Sequence, residues 1–129
     1  MTETTTEIGR YGEELAARYL KKKGYKILER NYRAGRNELD IIAENKEYTI
    51  FVEVKARSEH KVFGFDFGNP SDAVTIAKQK RTIAAAKAYL YKRNGDNEHD
   101  RMIRFDVIEV IGEGFGRKIR HIENAFEDV

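Results

Sequence analysis

The sequence has no cysteine, a single proline, and no apolar run approaching the ~18 residues of a membrane span. Without cysteine there is no disulfide, thiolate metal site or cysteine nucleophile, and the chain suits a reducing compartment. The opening TETTTEIGR lacks the hydrophobic core of a signal peptide. The expectation is a soluble, cytoplasmic protein with no membrane partner. Histidine is sparse, and His60, His99 and His121 lack metal-ligand spacing, so packing or surface roles are expected of them. Repeats, low-complexity tracts and evident linkers are missing as well. With 129 residues, 40% hydrophobic, the chain suits one domain over 1–129, with residues 1–6 as a flexible tail.

Net charge is also nearly missing, at +2, but the charges are sorted along the chain. Residues 1–36 carry nine basic and five acidic groups, and residues 37–54 carry one and five. Residues 55–93 carry nine and three, and residues 94–129 carry five and nine. A short acidic segment therefore lies between two basic ones. Solvated faces would produce this pattern, and so would an acidic metal pocket with basic walls for a phosphodiester.

Residues 7–23 have helical periodicity, with Ile8, Tyr11, Leu15, Ala16, Tyr19 and Leu20 on one face and Gly24 as the C-terminal cap. Gly12 on that face implies close approach of helix to sheet. Glu13 falls at the edge of the face and Glu14 on the solvent side. Residues 25–33 are strand-like, and 37–44 and 47–57 form a hairpin joined at Asn45-Lys46. Alternation puts Leu39, Ile41 and Ala43 on one face, matched by Ile50, Val52 and Val54. Burying both sets needs odd positions opposite even ones, for example Ile41 beside Ile50. The same register gathers Glu38, Asp40, Glu53 and Lys55 on the opposite face.

A loop spans 58–70, and Thr75 can N-cap a helix over 76–93 that ends at Asn94-Gly95. Residues 102–111 read as an interior strand, and 117–123 as a last strand after the GEGFG turn. The order αβββαββ predicts a mixed β-sheet flanked by helices, in the α/β class on the border of α+β.

Asp40, Glu53 and Lys55 form an Asp-x12-Glu-x-Lys string across paired strands. Two carboxylates so placed can hold Mg²⁺ or Mn²⁺, with the Val54 carbonyl as a further oxygen. Such a cation polarises a phosphoryl oxygen and acidifies water, and Lys55 could orient that water or balance charge on the phosphate. A solvated sheet face with alternating charges would give a similar string. Gln79 shares a stripe with Ile76, Ile83, Ala86 and Leu90, where it either reaches the metal pocket or sits at a partly covered edge. Lys78, Gln79, Lys80 and Arg57 are candidates for nucleic-acid contact, the two lysines through phosphates. Phe63, Phe65 and Phe67 either pack beneath their loop or stack on unpaired bases.

The run GEELAARYLKKKGYKILERNYR, NELDIIA, IFVEVKAR, FGNPSDAV, KQKRTIAAAKAYL and RFDVIEV resembles the YraN-type proteins of the PD-(D/E)XK nuclease superfamily. Those are similar in turn to archaeal Holliday-junction resolvases. The resemblance covers about Gly12 to Phe126 and implies a restriction-endonuclease-like core. By position it makes Glu13 the helical glutamate, Asp40 the second-strand aspartate, and Glu53 with Lys55 the E-x-K pair. Glu38 falls in the Gly-Glu-Ile-Asp run, where Asn37 replaces the glycine. The implied activity is Mg²⁺- or Mn²⁺-dependent endonucleolytic cleavage of DNA, branched or structured DNA among it. Cutting two strands would need two sites, hence a homodimer. Two other readings stay open: a DNA-binding protein that keeps the fold without chemistry, and a protein-interaction module.

Overall fold

A computed structural model describes residues 5–57, 74–95, 97, 100–112 and 117–128, with side chains from residue 10 and excluding that of Arg57. The elements run α1 (Thr5–Lys22), β1 (Lys26–Ala34), β2 (Asn37–Glu44), β3 (Tyr48–Arg57), α2 (Ile76–Asn94), β4 (Met102–Ile111) and β5 (Lys118–Phe126). This is the expected order, in one mixed five-stranded sheet arranged β1-β2-β3-β4-β5. Among the described residues only β3 and β4 run parallel, and α2 lies in the crossover that a parallel pair requires. The helix over residues 5–22 begins two residues before the expected start. The loop phenylalanines Phe63, Phe65 and Phe67, together with His60 and His99, lie outside the described residues.

Both faces of the sheet are buried. Ala16, Ala17 and Leu20 of α1 pack on Ile41, Ala43, Ile50, Val52, Ile108 and Val110. Ala85, Ala86 and Leu90 of α2 pack on Leu39, Ile42, Phe51, Phe105 and Val107. Strands covered on both sides need apolar residues at nearly every position, which is why 102–111 reads as interior. Gly12 touches the sheet as expected: a Cβ there would lie 2.5 Å from the Cβ of Ala56. Gly12→Ala should therefore cost about 1–3 kcal/mol in urea unfolding, because either α1 or β3 must shift. No measurable loss would mean that the helix stands off the sheet.

Two expectations about the hairpin need correction. Odd does oppose even, but Ile41 pairs with Val52, and Ala43 with Ile50. The turn falls one residue later than Asn45-Lys46. The Asn45 N–H donates to the Tyr48 carbonyl at 2.9 Å, and the Asn45 Oδ1 accepts from the N–H groups of Glu47 and Tyr48. Moving the turn by one residue moves the register by two. Leu39 also lies across the sheet from Ile41 and Ala43, with Ile42 and Phe51. The alternation breaks at Asp40. Across from it in β1, Asn31 has φ 51°, between the pairs Arg30–Ile41 and Tyr32–Leu39. On its other side the β2–β3 ladder ends at Ile41–Val52.

A buried polar network ties the far end of the sheet to α1. Arg104 grips Asp106 through two bonds of 2.8 Å and donates to the Tyr25 hydroxyl at 2.7 Å. His121 Nε2 lies 2.7 Å from Asp106, its Nδ1 lies 3.2 Å from the Tyr19 hydroxyl, and the Asn124 N–H donates to Asp106 at 3.0 Å. His121 thus takes the packing role, in a specific form. Arg104 and Asp106 are two apart in a strand, so they share a face, and two opposite charges at that spacing are a readable signal for such a pair.

Candidate active site

The site grows out of the break in β2. Where the ladder to β3 stops, the Asp40 carboxylate turns into the gap and accepts the Val54 N–H at 2.8 Å. That bond satisfies a backbone donor the ladder has left unpaired and fixes the carboxylate beside Glu53. Glu53 is itself buried, on the face of β3 that looks towards α2. Two ammonium groups attend it: Lys55 Nζ at 3.7 Å and Lys78 Nζ at 3.6 Å from Oε1. Thr75 caps α2 by accepting the Lys78 N–H at 3.1 Å, so this lysine projects from an ordered first turn.

Glu13 approaches from α1 and is partly buried. Its Oε1 is buried with no hydrogen-bond partner among the described residues. Burial raises its pKa; Arg30 opposes this, while Glu38 and Glu53 add to it. Asp40 is pushed up to about 7, first by burial, then by Glu53, against the bond from Val54. Glu13 raises it further, and Lys78 draws it back. The carboxylates of Glu13, Asp40 and Glu53 are thus close enough to feel one another, and Glu38 adds to the field at Glu13. The strand pattern grouped Glu38 on one face with Asp40 and Glu53, but the break at Asp40 puts Leu39 on the α2 side and so turns Glu38 to the α1 side. Glu38 is the outermost and pairs with Arg33 at 3.4 Å. Glu14 points to solvent, where it meets Arg18 and Arg30.

The phosphate-contact candidates divide. Lys78 turns inward to Glu53. Gln79 instead donates to the Val74 carbonyl at 2.9 Å and, with exposed Lys80, lines a groove along α2 beside Ile83. Its reading as a covered-edge residue is the one the geometry favours. Arg57 ends β3 opposite Ile111, and its side chain is outside the described set. Sequence reasoning passed over Glu109. It is fully buried and lies in register between Lys55 and Arg120. A charged residue within MIRFDVIEVI was the available signal.

The donor set fits a hard divalent cation. Its members are carboxylate oxygens, two of them on adjoining strands, with an orphaned carboxylate oxygen nearby. Asp40 and Glu13, whose pKa values are raised first by burial and further by neighbouring carboxylates, are held in a state that a cation would relieve. Among the described residues, however, no three His, Asp or Glu side chains converge tightly enough to enclose an ion by themselves. Mg²⁺ commonly takes one or two carboxylates and keeps several waters, so an open pair is compatible with it.

A mixed sheet in αβββαββ order, with acidic residues gathered where its second and third strands part, defines a restriction-endonuclease-like fold. Comparison with known proteins places the chain more narrowly. It belongs to the uncharacterised protein family UPF0102, the YraN-type family, whose model matches residues 12–110. A UPF0102 protein of Phocaeicola vulgatus is 47% identical over 120 residues, covering 93% of this chain and 92% of that protein. One from Clostridium botulinum strain Loch Maree is 42% identical over 123 residues, covering 94% of each. Another from Chlorobium chlorochromatii is 46% identical over 129 aligned positions, covering 95% and 93%.

Proposed function

We propose that this protein is a metal-dependent endonuclease that hydrolyses phosphodiester bonds in DNA, with branched or otherwise structured DNA as its substrate class. The observation that carries the reading is Asp40, locked to the Val54 N–H in the gap between β2 and β3, beside a Glu53 that holds two lysines. A structural ion pair needs one lysine and no second buried acid. A site for hydrolysis uses both.

Asp40, Glu53 and the Val54 carbonyl would hold Mg²⁺ or Mn²⁺. Bound there, the cation would polarise a phosphoryl oxygen and lower the pKa of a water. Lys55 presents its ammonium at the same carboxylate, where it can orient the attacking water or offset charge on the phosphate. Lys78 supplies a second positive charge from the opposite wall. The Glu13 Oε1 offers an acceptor for a water proton, and Glu38 shapes the outer edge. Lys80 and Arg57 would hold flanking phosphates.

The test is cleavage of junction, flap and duplex oligonucleotides with Mg²⁺ or Mn²⁺. Chelation should abolish turnover, and Lys55→Ala should lower it about 100- to 1,000-fold. Cleavage that survives chelation, or that Lys55→Ala leaves intact, would overturn the reading. One observation favours a second reading, DNA binding without chemistry: the described residues do not enclose an ion by themselves. Its signature would be salt-sensitive binding with no turnover under any divalent cation.

A further inference from the structure

Tyr11 stands apart from the rest of α1. It precedes Gly12, the residue seated on Ala56 of β3, yet 48% of it is exposed. The guanidinium of Arg117, just before β5, lies 4.3 Å from its ring centroid. An aromatic ring and a cation therefore adjoin where α1 passes the start of β5. Two residues along α1, Glu13 faces the acidic gap. The same helical turn therefore borders the candidate active site on one side and carries this aromatic–cation pair on the other.

We propose that Tyr11 and Arg117 form a stacking platform for an unpaired DNA base beside the cleavage site. The proposal rests on the nuclease reading and deepens it by naming what the substrate must present. The chemistry favours a nucleobase. An aromatic ring backed by a guanidinium offers a flat, polarisable surface, while the positive charge attracts the adjoining phosphates. Base-paired DNA keeps its bases stacked inside the duplex and exposes only groove edges and backbone. The platform engages a base only where pairing is interrupted. The distance is suitable: β5 lies two strands from β3, about 10 Å across at the usual strand spacing, and Arg117 stands three residues, about another 10 Å, along the strand from Arg120, which is in line with Lys55. The resulting ~14 Å is roughly four nucleotides at about 3.4 Å per stacked step. A base held there would set the strand across Lys55 and Glu53 at a fixed offset from the branch or gap.

The experiment uses the full chain in chelator, so that no strand is cut. The probe is an oligonucleotide carrying 2-aminopurine in a three-nucleotide single-stranded gap, compared with the same base in continuous duplex. Binding should quench the unpaired probe at least about two-fold and leave the paired one unchanged. Tyr11→Ala should abolish the quench and weaken gapped-DNA binding about 5- to 20-fold, with duplex binding unaltered. Tyr11→Phe should retain both properties, which shows that the ring rather than the fold is at issue. Arg117→Ala should weaken gapped binding and lower its salt slope by about one. Gapped DNA bound without quenching, or bound equally well by Tyr11→Ala, overturns the platform alone. Failure to bind any of these DNAs overturns the platform and the nuclease reading together.

Discussion

Asp106→Ala should destabilise the protein by about 3–5 kcal/mol, lowering the melting temperature by roughly 10 °C or more. Asp106 is fully buried and receives Arg104 twice at 2.8 Å, His121 at 2.7 Å and the Asn124 N–H at 3.0 Å. Removing it leaves the Arg104 guanidinium buried against Tyr25 and Tyr48 with its main counter-charge gone. The remaining partner, Glu123 at 3.2 Å, is half exposed and compensates little. Burial alone would raise the pKa of Asp106, but the bonds from His121, Arg104 and Asn124 outweigh it and hold the carboxyl below its usual range. A carboxyl ionised more readily in the folded state stabilises the protein above its unfolded pKa, near 4, and loses that contribution as pH falls through the lower, folded value. The gap between wild type and Asp106→Asn should therefore narrow below about pH 4. Urea unfolding across pH 2–7 measures it. A loss under about 1 kcal/mol at neutral pH would show that the network does not hold the sheet to α1.

Most of the fold is legible in apolar spacing because each strand and helix must bury one or two faces. The bounds 37–44 and 102–111 coincide with β2 and β4, and Thr75 and Gly95 cap α2 where the sequence places them. Register is harder, since period-two alternation fixes parity and nothing more. The Ile41–Val52 pairing was settled by the Asn45 side chain, which accepts two N–H groups and moves the turn by one residue. The break at Asp40 was illegible for another reason. It lies across from a positive φ at Asn31 in the neighbouring strand, a conformation that asparagine tolerates without announcing it. The candidate site was legible as acids gathered by the hairpin, although the break at Asp40 takes Glu38 off the face that carries Glu53. The turning of Lys78 to Glu53 and of Gln79 to the Val74 carbonyl was not, because adjacent helix residues differ by about 100° and only the docked orientation of α2 decides between them. Buried Glu109 was hidden by its own context, a strand read as interior from its many apolar residues.

Asp40→Asn should raise stability and remove activity together. Asparagine keeps the shape of the side chain and an oxygen for the Val54 N–H, but carries no charge beside Glu53 and Glu13. In the wild type, burial and then Glu53 push the pKa of Asp40 up to about 7. The unfolded chain loses this proton near pH 4, whereas the folded chain keeps it until about 7, so stability drains away as pH rises between the two. Above that window the variant should be the more stable by about 1–3 kcal/mol without divalent cations, and below about pH 4 the two should coincide. Mg²⁺ or Mn²⁺ should then reverse the order by stabilising the wild type through its bound form and leaving the variant unmoved. Cation affinity of the wild type should climb as pH passes about 7, because cation and proton compete for the same carboxylate. DNA cleavage by the variant should fall at least about 100-fold, the effect of losing a cation that stabilises the transition state by several kcal/mol. Calorimetric unfolding with and without Mn²⁺, beside the cleavage assay, separates the outcomes. A variant less stable than wild type at pH 8 would make Asp40 a structural residue that holds β2 to β3. A more stable variant that still cleaves would remove Asp40 from the chemistry. Only gain of stability with loss of cation response and loss of cleavage fits a carboxylate kept under electrostatic strain for a cation.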